Sequence, residues 1–346
     1  MPLQRTRQLL FVALLGLASL LGACQRNTDI PGDEAAYVTA TRLSPYERPI
    51  WSPDGAKLAF TEFGQIGLSD THLIIYSLAD KRLTKLLFTG GYYRSISWSP
   101  DSSKIVVTRV KERDKGNDIQ VVDLAAQQVK TIAMGESANW SPDGQSIAIY
   151  SGPQLTGDRS SFVIQIIQPD GSLIRTISLP ITPTLPGPTP ISATPAEGQL
   201  FYIPPSPAED SFGGMAWSPD GQQIVLGIRH RPLGGKTIGE LYVLDLNDDR
   251  LRSIVSGDDI YSPAWSPDGK TIAYIKRPES QPWLGDLYFT DPNGACTALV
   301  TNHLSFESLS WAPDGSRIVY EDGNEIYILN VKKKLASDTT LNNSCP

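Results

Sequence analysis

Short runs of alternating apolar and polar residues recur along this chain, each preceded by the same tight-turn signal. AWSPDGKTIAY begins at Ala264 and a close copy, AWSPDGQQIVL, at Ala216. Seven residues after the Trp of each copy comes a β-rich run: LAF at 58, IVV at 105, IAI at 147, IVL at 224, IAY at 272 and IVY at 318. The intervening Ser-Pro-Asp-Gly suits a type I turn, with Pro presetting φ, Asp at the third position and Gly in the left-handed position that follows. The pattern therefore predicts a hairpin. A third strand follows in HLIIYSL (72–78), DIQVVDL (118–124), ELYVLDL (240–246), DLYFTDP (286–292) and EIYILNV (325–331), and a fourth in runs such as RLRSIVS (250–256). No stretch after Cys24 carries a helical period.

The spacing turns the hairpins into an architecture. The motif starts at Trp51, Trp98, Trp140, Trp217, Trp265 and Trp311, at intervals of 47, 42, 77, 48 and 46 residues. Four strands in about 45 residues make a propeller blade, so the expected fold is an all-β, six-bladed β-propeller of four-stranded blades. The WSPDG pattern resembles the propeller repeat of TolB and its relatives over roughly residues 40–331. Ser102 replaces the Gly in the second copy and Ala312 the Ser in the sixth. TolB carries an α/β domain before its propeller. Here about 25 residues separate Cys24 from the first blade, so the resemblance implies the fold and leaves the role open.

That resemblance assigns each motif Trp to packing between blades. The turn residues Asp54, Asp101, Asp143, Asp220, Asp268 and Asp314 are expected to bond the local backbone. One carboxylate per turn is too few for calcium, and no metal or other cofactor is expected. YVTATRLS (37–44) reads as a strand completing the last blade beside 325–331, which would close the ring. The interval of 77 contains a Pro-rich insertion at 180–212, between blades 3 and 4; residues 180–207 alone hold nine prolines, which favour extended, unpaired backbone.

The first residues set the compartment. Arg5 and Arg7 precede the 15-residue apolar run LLFVALLGLASLLGA, too short to span a bilayer as a helix and suited to a secretory signal over 1–23. LGAC at 21–24 resembles the lipobox of bacterial lipoproteins, which implies lipidation of Cys24 and a linker over 24–36. Gln25 after the Cys favours the outer membrane, facing the periplasm, in a diderm source; otherwise the anchor sits in the outer face of the cytoplasmic membrane. Loss of the two leader arginines takes the formal charge from −7 to −9. An acidic chain without a basic stripe argues against nucleic acid, and contact with the membrane is expected through the lipid only. Cys296 and Cys345 then remain, and an oxidising compartment permits a Cys296–Cys345 bridge beside the tail 332–346.

Function is expected where the blades differ, on the face opposite the turns. The residues there are Glu47, Tyr92, Tyr93, Arg94, Arg109, Glu136, Arg229, His230, Arg231, Tyr261, Lys276, Arg277, Trp283, Phe306 and Glu307. Mixed charge with aromatics suits recognition of a protein or extended peptide. There is no G-x-S-x-G elbow, no H-E-x-x-H, and only three histidines, so no catalytic residues are assigned and no enzyme is expected. The expected protein is a monomeric, non-enzymatic envelope lipoprotein that binds an envelope protein or peptide. The alternatives are a glycan or small-ligand receptor and, behind these, a propeller hydrolase or lyase. A direct check is mass spectrometry of the mature N-terminus, which should begin at a lipid-modified Cys24; Cys24→Ser should release the protein into the soluble fraction.

Overall fold

The computed structural model describes residues 46–64, 67–86, 92–111, 116–156, 159–179, 211–230, 237–278, 280, 284–304, 308–322 and 325–331. The leader, the linker, the strand expected at 37–44, most of the Pro-rich insertion and the tail with Cys345 lie outside these residues. Cys296 is disulfide-bonded.

Six antiparallel meanders form the described chain. Blade 1 is β1 (Tyr46–Trp51), β2 (Lys57–Gly64), β3 (Gly67–Ser77) and β4 (Leu83–Leu86). Blade 2 is β5 (Tyr92–Trp98), β6 (Lys104–Val110), β7 (Asp118–Asp123) and β8 (Gln128–Met134). Blade 3 is β9 (Ser137–Trp140), β10 (Ile147–Thr156), β11 (Arg159–Ile167) and β12 (Leu173–Leu179). Blade 4 is β13 (Ser211–Trp217), β14 (Gln223–His230), β15 (Ile238–Asp245) and β16 (Leu251–Gly257). Blade 5 is β17 (Asp259–Trp265), β18 (Ile272–Arg277), β19 (Gly285–Thr290) and β20 (Thr297–Leu304). Blade 6 has three described strands, β21 (Leu309–Trp311), β22 (Arg317–Asp322) and β23 (Glu325–Asn330). In every blade the strand that ends in the motif Trp is the innermost, and these six strands surround one central channel.

The apolar residues collect into six clusters, one at each junction between neighbouring blades. Each motif Trp packs onto the blade before it. Trp98 lies with Ala59 and Leu73 of blade 1, Trp140 with Val106 and Ile119 of blade 2, and Trp265 with Val225 and Leu241 of blade 4. The ring closes the same way: Trp51 and Phe60 share a cluster with Ala312, Val319 and Ile326 of blade 6, and Arg317 lies 4.7 Å over the Trp51 ring.

The repeated turn is a local hydrogen-bond device. In blade 2, Ser99 Oγ donates to Asp101 Oδ1 at 2.6 Å and accepts the Lys104 N–H at 2.8 Å, while Asp101 Oδ1 accepts the Ser103 N–H at 3.0 Å. The corresponding bonds recur at Ser52 and Asp54, Ser141 and Asp143, Ser218 and Asp220, and Ser266 and Asp268. Both departures from the motif are accommodated. Where Ala312 removes the hydroxyl, Ser316 Oγ donates to Asp314 at 2.7 Å. Ser102 adopts φ 57° in place of Gly, and its hydroxyl reaches across the junction to accept the Asp54 N–H of blade 1 at 3.1 Å. Elsewhere a glycine abuts the neighbouring turn: a Cβ on Gly55 (φ 70°) would sit 3.2 Å from Pro313 Cγ.

These contacts hold Asp54, Asp101, Asp143 and Asp268 ionised into acid. Hydrogen bonds from Ser99, then from the Ser103 hydroxyl and N–H, lower Asp101 from 3.8 to about 2. Asp143 and Asp268 are lowered too, led by their serine hydroxyls. A carboxylate whose folded pKa is depressed contributes stability that is complete above its unfolded pKa and is lost as pH falls through the folded one. The melting temperature should therefore fall between about pH 4 and pH 2, and Asp101→Asn should flatten part of that fall. At neutral pH, Ser141→Ala should cost about 1–2 kcal/mol and Trp98→Ala about 3–5 kcal/mol by chemical denaturation.

Candidate functional site

The inner strands run from one mouth of the channel to the turns, and they are regular only in their second half. Four of them carry an extra residue near their start. Two inner-strand residues oppose one of the partner between Glu47 and Ile50 in β1 and between Tyr261 and Ala264 in β17; Arg94 is the added residue in β5 and Gly213 in β13. Bulges of this kind turn a strand and re-aim its side chains. The added residues stand two to three positions before the motif Trp in β1 and β17 and four before it in β5 and β13, on the side of the strand away from the turn. Two of the bulges put non-glycine residues in the left-handed region, Arg48 at φ 60° and Ser262 at φ 51°. Such a conformation persists only where surrounding contacts enforce it. At Arg48 the contact is visible: its N–H donates to the carboxylate of Glu321, a blade 6 residue buried to 5% exposure.

The channel encloses a cavity of about 910 Å³, within the range of ligand sites. Its wall near the turns is uniform, built from the motif tryptophans and prolines. Its wall at the mouth is not. Arg48, Arg94, Glu136, Phe212, Tyr261 and Arg277 line it there, with Arg229 beside them. Arg94 donates to Glu136 Oε2 at 2.7 Å, and the same oxygen accepts from Asn117 at 2.8 Å. Arg48 Nη2 donates to the Tyr92 hydroxyl at 3.3 Å. Tyr261 is flanked by two guanidiniums, Arg277 at 4.7 Å and Arg229 at 6.0 Å from its centroid, both ion-paired to Asp259, at 3.7 and 3.5 Å. Tyr150 and Phe212 stack at 4.1 Å across the junction of blades 3 and 4.

The structure divides the residues expected at this face. Arg94, Glu136, Arg229, Tyr261 and Arg277 come together on the channel wall, and Tyr92 stands behind Arg48. Tyr93 requires correction. It is 1% exposed within the cluster between blades 1 and 2, where burial raises its pKa, and it offers no surface to a partner. Arg109 and Lys276 do not line the channel; Lys276 pairs with Asp258 at 3.8 Å and lies 5.8 Å over Tyr288. Several residues expected in loops belong to strands, because the hairpins run further than the apolar pattern indicates: Tyr92 to Arg94 are in β5, Arg229 and His230 in β14, and Lys276 and Arg277 in β18. Arg231, Trp283, Phe306 and Glu307 lie outside the described residues, as do the side chains of Glu47 and His230. Arg48, Phe212 and Tyr150 are additions that the sequence reading lacked. Among the described residues, no group of three or more His, Cys, Asp or Glu side chains is disposed to hold a metal ion.

No protein-family model and no curated protein matches the chain. Solved structures do. TolB from Acinetobacter baumannii superposes with a TM-score of 0.51 at 22% identity, over 74% of this chain and 54% of that one, so the chain spans about half the length of that protein. A TolB-type protein from Agrobacterium tumefaciens gives 0.56 at 18% identity, over 85% of this chain and 92% of its own. An oligogalacturonate lyase in complex with manganese gives 0.50 at 19% identity, over 85% and 79% of the two chains. At such identities the likeness is one of fold, and in fold this chain is a TolB-type six-bladed β-propeller.

Proposed function

We propose that this protein is a non-enzymatic, lipid-anchored envelope protein whose propeller holds a protein partner, or an extended peptide segment of one, at the mouth opposite the WSPDG turns. The observation that carries this reading is the contrast between the two ends of the channel. One end repeats the same Trp and Pro around the ring. At the other, four inner strands bulge two to four residues before the motif Trp, and the side chains lining the wall differ from blade to blade. Bulges re-aim side chains and are frequent beside binding and active sites, so inner strands that differ at one mouth favour function there.

Two further points favour binding over catalysis. Among the described residues, the carboxylates at this mouth are engaged: Glu136 with Arg94 and Asn117, Asp259 with Arg229 and Arg277, Glu321 with the Arg48 N–H. The arrangement offers guanidiniums and rings for recognition, without a nucleophile held by a base. A small ligand is the second reading, favoured by the volume of the cavity alone.

The test is photo-crosslinking in the native envelope. A photoreactive residue at position 92 or 94 should capture one protein, whereas one at Gln222 or Lys270, exposed on the turns of blades 4 and 5, should capture none. Capture from the turn positions alone would contradict the proposal. No capture from either end, with a melting shift on adding an envelope extract of small molecules, would favour the small-ligand reading.

A further inference from the structure

We infer that the partner segment is acidic, and that Arg48, Arg94, Arg229 and Arg277 form a carboxylate-binding ring at the channel mouth. This inference rests on the reading of that mouth as the partner site.

The charge balance of the wall is the first ground. The chain as a whole is acidic, with a formal charge of −7. The charged side chains described on the cavity wall are those four arginines and Glu136. Asp259 pairs with Arg229 and Arg277, and Glu321 takes the Arg48 N–H, so four guanidiniums against three carboxylates leave the described cluster one positive charge in excess. The side chains of Glu47 and Glu307 lie outside the described residues and enter no part of this balance. Cations converging on a walled cavity focus their field into it and draw anions.

The support given to the guanidiniums is the second. Arg277 and Arg229 approach the ring of Tyr261, at 4.7 and 6.0 Å from its centroid, with side chains only 21% and 30% exposed. Arg48 is held in a left-handed backbone conformation by buried Glu321, with its guanidinium on the Tyr92 hydroxyl. Asp259 already pairs with the guanidiniums of Arg277 and Arg229, at 3.7 and 3.5 Å, which shows how a carboxylate meets the planar fork at this mouth. Arg94 is the most open of the four described contacts, with its side chain 50% exposed. Its present partner, Glu136, shows how a carboxylate sits there, at 2.7 Å.

The same geometry disfavours an acidic glycan. Sugars are held by open aromatic faces, and the faces at this mouth are occupied: Tyr261 by two arginines, Tyr150 and Phe212 by each other at 4.1 Å. An extended acidic peptide needs no such platform.

The experiment measures binding of fluorescein-labelled hexaglutamate to the full lipidated protein in detergent, with hexaglutamine as the neutral counterpart and polygalacturonate as competitor. Hexaglutamate should bind at least about tenfold more tightly than hexaglutamine, and added salt should erode the difference. Arg94→Gln should weaken hexaglutamate binding by about tenfold, and Glu136→Gln should strengthen it. Arg48→Gly is the folding control. It removes a guanidinium at a backbone position that glycine adopts without strain and keeps the N–H that Glu321 accepts, so it should weaken binding with an unchanged melting temperature. Equal affinity for the two peptides, or hexaglutamate binding indifferent to both arginine substitutions, would overturn the inference. Displacement by polygalacturonate at lower carboxylate concentration than by unlabelled hexaglutamate would overturn the assignment to a peptide. If hexaglutamate fails while cross-links from position 92 still capture a protein, the acidic inference falls and the mouth remains the partner site. If capture moves to the turns, the mouth reading itself falls.

Discussion

Arranging sheets around an axis leaves each inner strand with one edge that has no strand to pair with. An unpaired strand edge exposes a row of N–H and C=O groups that must find partners. Here small polar side chains of the neighbouring blade supply them. The Trp51 N–H donates to Ser310 Oγ at 3.2 Å, the Ala138 N–H to Ser95 Oγ at 3.2 Å and the Trp140 N–H to Ser97 Oγ at 3.1 Å. Asn139 donates to the Met215 carbonyl at 3.0 Å, and the indoles of Trp217 and Trp311 to the Asn139 and Ala264 carbonyls, each at 3.2 Å. Side chains this short keep the blades close at the axis, and the Trp beside them fills the wedge that opens away from it.

The rest of the molecule follows from that arrangement. With these edges bonded and a core at every junction, the six turns need only reverse the chain; Ser and Asp do so with the same few bonds in blades 1 to 5, and Ser316 bonds Asp314 in blade 6. The closing junction uses the same means as the others, a Trp, an apolar cluster and a serine hydroxyl. The ring therefore holds blade 6 to blade 1 through contacts independent of any completing strand. Uniformity at the turn end frees the opposite end to vary, and there four of the inner strands bulge.

The fold was open to reading because its signal is repeated and local. A Trp, a turn and an apolar run at fixed spacing need no knowledge of distant contacts. The mouth was less legible because a bulge breaks the alternation on which such reading depends. One added residue in β5 sends Tyr93 into the core and Arg94 to the channel, where strict alternation gives no warning of either. Arg48 was hidden for the same reason, and its placement depends on Glu321, 273 residues away. Phe212 could be found only through its stacking on Tyr150 of the neighbouring blade.

The central claim is that the turns build the ring and the opposite mouth does its work. Hydrogen exchange measured on the protein in native membranes, and on the same protein purified free of them, tests this most directly. The account predicts slower exchange in the membranes for residues 46–50, 92–95, 136–138, 212–215 and 259–263, with the six turns unchanged. Slowing confined to the turns, with the mouth indifferent, would contradict it.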